Sequence, residues 1–67
     1  MKTFYCELHV GNTDFTYFYE LQAKDLNEAM QLVRAYCAGW MTGSSIKVEL
    51  RSIGMNKARG KKYEVLF

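Results

Sequence analysis

The chain has 67 residues, 49% of them hydrophobic and 15% aromatic, with a formal net charge of +2. That length holds one domain, and a chain this short buries only roughly 60% of the surface its unfolded form exposes. The composition excludes a disordered tail, and the lack of proline excludes a stiff linker. No run approaches the ~20 apolar residues of a membrane span.

At the N-terminus, Lys2 precedes apolar residues, but Glu7 and His9 interrupt the run and no small-residue cleavage site follows. The expectation is a complete, cytoplasmic protein with no membrane partner. Residues 3–10 alternate: Phe4, Cys6, Leu8 and Val10 point one way, and Tyr5, Glu7 and His9 the other. A period of two marks a half-buried strand. Gly11, Asn12, Thr13 and Asp14 supply turn residues, and 15–21 is rich in β-favouring aromatics. Phe15, Tyr17, Tyr19 and Leu21 share its inner face, with Thr16, Phe18 and Glu20 outside, and the two runs should pair as a hairpin.

Asp25 and Glu28 read as a capping box for a helix. Leu26, Ala29, Met30, Val33, Tyr36, Cys37 and Trp40 recur at spacings of three and four as one apolar stripe, with Asn27, Gln31 and Arg34 opposite. Gly39 is the expected stop, since glycine closes helices in the left-handed conformation. Residues 42–45 read as a turn. Ile46, Val48 and Leu50 then alternate with Lys47, Glu49 and Arg51 as a third strand. The segment 53–60, with two glycines and Asn56, reads as a hairpin loop into a fourth strand at 61–67. In that last strand Tyr63, Val65 and Phe67 share one face, and Lys62, Glu64 and Leu66 the other.

The order ββαββ predicts an α+β domain: a two-layer sandwich, with one helix packed on one face of a four-stranded, mostly antiparallel sheet. The opposite face is expected to stay open to solvent or to a partner.

Catalytic arrangements are scarce. Cys6 and His9 fall on opposite sides of one strand, so they do not form a nucleophile pair. Glu7 and Glu20 lie on an open face without a pocket to separate their proton affinities. No glycine-rich phosphate loop occurs, and two cysteines with one histidine fall short of a zinc set. Cys6 and Cys37 read as buried thiols. The expectation is a non-catalytic protein without cofactor or metal.

Charge is unevenly placed. Residues 1–33 carry a net −3 and residues 34–67 a net +5. Lys57, Arg59, Lys61 and Lys62 crowd into the last loop, where they suit a phosphate backbone or an acidic protein surface. Tyr5 and Phe18 on the outer sheet face, beside Lys47 and Arg51, are residue types that anchor interfaces or stack on bases. These eight are the candidate partner-binding residues.

The run from Tyr19 through Ala29, where a strand leads into a helix by a Leu-x-x-Ala step, is followed by Gly43 and the strand Ile46, Lys47, Val48, Glu49. In length, element order and this run, the chain resembles small phage-encoded anti-CRISPR proteins directed at multi-subunit surveillance complexes. The likeness spans about half the chain at the level of fold and carries over no functional residue. It implies a stoichiometric inhibitor that binds a host ribonucleoprotein complex and blocks its nucleic-acid binding. The alternative is a small DNA- or RNA-binding regulator that uses the basic loop, as a monomer or a homodimer.

Overall fold

The structure, a computed structural model, describes residues 1–41 and 47–66. The turn expected at 42–45, the Ile46 expected in the third strand and the terminal Phe67 lie outside the described residues, as does the side chain of Trp40. The elements are β1 (Lys2–Val10), β2 (Thr16–Ala23), α1 (Leu26–Met41), β3 (Val48–Gly54) and β4 (Glu64–Val65). One helix packs on one face of a four-stranded, open sheet in the order β3-β1-β2-β4. The expected α+β fold is therefore present, with β1 pairing antiparallel to both β2 and β3, and β2 pairing parallel to β4.

Alternation in β1 and β2 builds the inner face. Phe4, Cys6, Leu8 and Val10 are buried from β1, and Leu21 and Ala23 from β2, with Tyr19 packed beside them. Ala29, Val33 and Cys37 descend from the helix onto this layer. Ala23 and Ala29 are fully buried, so the helix and sheet approach closely where they meet. The turn between β1 and β2 closes with Asn12 in the left-handed conformation, and Thr13 donates its hydroxyl to the Val10 carbonyl at 2.7 Å. Phe15 falls in that turn instead of on the inner face, and is 66% exposed.

The helix starts as expected. The Glu28 N–H donates to the Asp25 carboxylate at 2.8 Å, and the Glu28 carboxylate accepts from the Lys24 N–H at 3.0 Å. One first-turn donor and the N–H just ahead of the cap are thereby satisfied, and two acids meet the positive helix end. Its buried stripe is rotated slightly from the expected one. Leu26 is exposed and Leu32 packs against the core. The helix also continues through Gly39 to Met41, so Gly39 is not the stop.

The largest departure lies after β3. That strand runs on to Gly54, and its pairing with β1 slips by one residue between Leu50 and Ser52, leaving Arg51 as an extra, bulged residue. The slip reverses the phase, so that Ile53, opposite Cys6, packs against the core. β3 and β4 then lie at opposite edges of the sheet and run parallel, so 53–60 is not a hairpin loop. Strands stand ~4.8 Å apart, so the chain must travel about 14 Å sideways. Nine residues, 55–63, make that crossing. Extended, they reach about 30 Å, which leaves slack for a turn on the way.

Gly39 sits within the helix, and a Cβ placed there meets nothing within 4 Å. Gly39→Ala is expected to stabilise the protein by about 0.5–1 kcal/mol, through lost freedom of the unfolded chain. Urea denaturation should show a higher midpoint at unchanged slope.

Candidate functional site

Residues 55–63 form a strap across the sheet face that the helix does not cover. Tyr63 fixes it there. Its ring lies 5.1 Å from Tyr5 and 5.6 Å from Phe18, edge-on to both. In the register of β1 with β2, Tyr5 stands opposite Glu20 and Phe18 opposite Glu7, so the two aromatics occupy one diagonal of the outer face. Tyr63 bridges that diagonal. Edge-to-face pairs at these separations contribute about 0.5–1.5 kcal/mol each beyond area burial.

Within the strap, the Tyr63 hydroxyl accepts from the Ala58 N–H at 3.1 Å. The Lys61 N–H reaches the Ala58 carbonyl at 3.4 Å, closing a turn. Gly60 holds φ 77° as the third residue of that turn, a conformation glycine adopts without strain. Lys57 places its ammonium 5.7 Å from the Tyr63 ring centroid, and Lys61 places its own 5.1 Å from that of Phe18. Arg59 and Lys62 are exposed. The strap thus carries four cations and no acid over residues 55–63.

Two sequence expectations are corrected by this arrangement. The outer face is not left open at Tyr5 and Phe18; both are half-buried beneath the strap. The last segment also has the opposite phase, with Tyr63 on the outer face and Leu66 against the core, while Val65 is 69% exposed. The phase of β2 is as expected. Phe18 faces outward, and Tyr19 packs inward between Tyr17, 6.3 Å away, and Tyr36, 5.7 Å away.

The eight candidate residues separate into two groups. Tyr5, Phe18, Lys57, Arg59, Lys61 and Lys62 belong to the strap and the patch beneath it. Lys47, just before β3, and Arg51, within it, lie apart and are exposed. A groove of about 640 Å³ opens between α1 and β3. Met30, Cys37, Val48 and Ile53 line it with Arg34 and Arg51. A second cavity of about 250 Å³ lies where the strap meets β1 and β3, beside Tyr5, Glu7 and Tyr63.

Tyr63 and Arg34 were not singled out by sequence reasoning. Arg34 reads as one more polar residue on the solvated helix face. The signal for Tyr63 was indirect: two large aromatics pointing out of a sheet call for a cover.

The two thiols lie inside the core and are free. Burial pushes the Cys6 thiol up to about 11, a backbone hydrogen bond to Tyr19 opposes the shift, and nearby Cys37 adds to it. Burial raises Cys37 as well. Such thiols are poor nucleophiles at neutral pH. Burial likewise raises the Tyr19 hydroxyl, helped by its hydrogen bond with Tyr36. Among the described residues, no group of three or more His, Cys, Asp and Glu is placed to hold a metal ion. Among them, too, no helix is long and apolar enough to cross a membrane. Comparison with known proteins finds no matching family model, no matching curated protein and no matching solved structure.

Tyr63→Phe removes the acceptor for the Ala58 N–H and is expected to cost about 1 kcal/mol. Tyr63→Ala should cost roughly 2–3 kcal/mol and increase binding of a hydrophobic dye at the uncovered Tyr5 and Phe18. Chemical denaturation with dye fluorescence measures both.

The raised Cys6 thiol sets a pH dependence. The unfolded chain loses this proton from its ordinary value of 9.0, whereas the folded chain holds it to about 11. The contribution is complete below pH 9 and is lost as pH rises toward 11, by up to about 1.4 kcal/mol per pH unit. Stability of wild type and Cys6→Ala across that window should show the shallower decline in the variant.

Proposed function

We propose that this chain is a non-catalytic binding domain that engages the phosphate backbone of a nucleic acid through the strap. The observation that carries this reading is the fixed presentation of Lys57, Arg59, Lys61 and Lys62 on a segment without a carboxylate, clamped to the sheet by Tyr63. A backbone ordered before binding loses less conformational freedom on binding than a flexible loop does. Each lysine or arginine that meets a phosphate releases condensed counterions, which supplies affinity without base recognition. Stacking of bases on Tyr5 and Phe18 is a minor element in this reading, because Tyr63 and the Lys61 ammonium already occupy those rings.

The resemblance read from the sequence to anti-CRISPR proteins supports a larger setting for that contact. In a ribonucleoprotein surveillance complex, a basic strap meets guide or target phosphates while the rest of the domain blocks the channel. The presence of a second basic surface, at the β3 edge, favours a partner that contains protein as well as nucleic acid. On this reading the protein acts by stoichiometric occlusion and performs no chemistry.

Binding of a fluorescent oligothymidylate is the direct test. With all four cations engaged, the logarithm of affinity should fall with the logarithm of salt at a slope of about −3, and Arg59→Ala and Lys62→Ala should each reduce it by about 0.7. The fourfold alanine variant should bind with little salt dependence. Absence of binding to single- or double-stranded DNA or RNA at low salt overturns the proposal.

A further inference from the structure

β3 is an edge strand, and among the described residues no strand pairs with its outer side. Its unpaired backbone groups therefore lie beside the groove it forms with α1. An exposed edge of this kind is a template for another strand. Proteins commonly blunt such edges, and here the one disruption is the bulge at Arg51, which bends the strand but leaves Val48–Leu50 regular.

The lining of the groove selects among occupants. Its floor is apolar, with Met30, Cys37, Val48 and Ile53. Arg34 and Arg51 stand at its rim, with Lys47 exposed just before the strand. Glu49 is the one acid among the lining residues. The edge is thus positive in balance. A second copy of β3 presents the same sequence, with two cations and one acid at Lys47, Glu49 and Arg51, so an antiparallel copy retains the positive excess. A segment with carboxylates on one face and apolar side chains on the other matches both the rim and the floor.

We infer that the β3 edge and the groove beside α1 form a docking site for an extended acidic peptide segment of a protein partner, added as a fifth strand. Main-chain hydrogen bonds to β3 supply the attachment, and alternate side chains enter the groove. The carboxylates pair with Arg34, Lys47 and Arg51, and Arg supplies the bidentate geometry that suits them. This site is separate from the strap and does not depend on nucleic-acid binding.

The test uses a fluorescein-labelled, capped octapeptide of alternating valine and glutamate, read by anisotropy against the full chain. Four controls accompany it: alternating valine and lysine, the acidic peptide N-methylated along one backbone edge, the same peptide N-methylated along the other, and the fourfold strap variant. Binding of the acidic peptide is expected, with at least a tenfold loss for the basic peptide and for one of the two N-methylated edges. Arg34→Glu and Arg51→Glu are each expected to weaken binding about tenfold, and both lie on exposed positions where the fold tolerates charge. The strap variant should bind the peptide as wild type does, which separates this site from the strap. Equal binding of acidic and basic peptides, indifference to N-methylation on either edge, or no effect of the two arginine variants overturns the inference. So does a concentration-dependent dimer, seen by sedimentation, that excludes the peptide.

Discussion

The sheet has two faces and the described residues hold one helix, and most of the architecture follows from that shortage. α1 covers Phe4, Cys6, Leu8 and Leu21 on the inner side. On the other side, Tyr5 and Phe18 stand out of the same strands, and among the described residues no helix meets them. A chain of 67 residues lacks the length for a second helical layer. Tyr63 supplies the missing cover with one side chain. For that contact to form, the backbone must cross the outer face, so β4 arrives at the far edge, beside β2, and parallel to it. Edge placement, strand direction and the position of the basic segment are thus linked to one aromatic contact.

The legible parts of the fold were those in which a period and a burial direction agree. In β1, four apolar residues alternate without interruption, and all four are buried. The start of α1 was legible because a cap is local chemistry: Asp25 and Glu28 bond to backbone within four residues. Gly39 misled because a glycine costs a helix only about 1 kcal/mol, which packing of the preceding Val33 and Cys37 can exceed. The bulge at Arg51 has no local marker, yet it turns Ile53 from a loop residue into a core residue. In the last segment, glycine and asparagine signal a change of direction without saying whether the chain returns beside its own strand or crosses to the far edge.

The candidate site was legible in composition and not in geometry. Clustered charge is visible in a sequence, so Lys57, Arg59, Lys61 and Lys62 could be named. Their relation to Tyr5 and Phe18 could not, because it depends on a crossing with long sequence separation. A loop and a sheet face that read as two surfaces are one in the structure, with Lys57 and Lys61 leaning on the rings of Tyr63 and Phe18. Arg51, grouped with that face by alternation, instead lines a groove with Arg34 of the helix, and Lys47 lies exposed just before the same strand.

The cation–ring contacts bear on how the strap meets an anion. At exposed positions such a contact contributes about 0.5–1 kcal/mol, similar to a surface ion pair. Lys57 and Lys61 therefore exchange a ring for a phosphate at little net gain, while Arg59 and Lys62 add their contacts outright. The role of the two ring-bound lysines is then partly structural: they stiffen the strap around Tyr63 and hold its turn at Gly60 in place. Stiffening costs nothing in electrostatic reach, since an ammonium over a ring stays solvated on its outer side and keeps its full charge. A small domain with a thin core gains an ordered basic surface in this way from the same residues that close its second face.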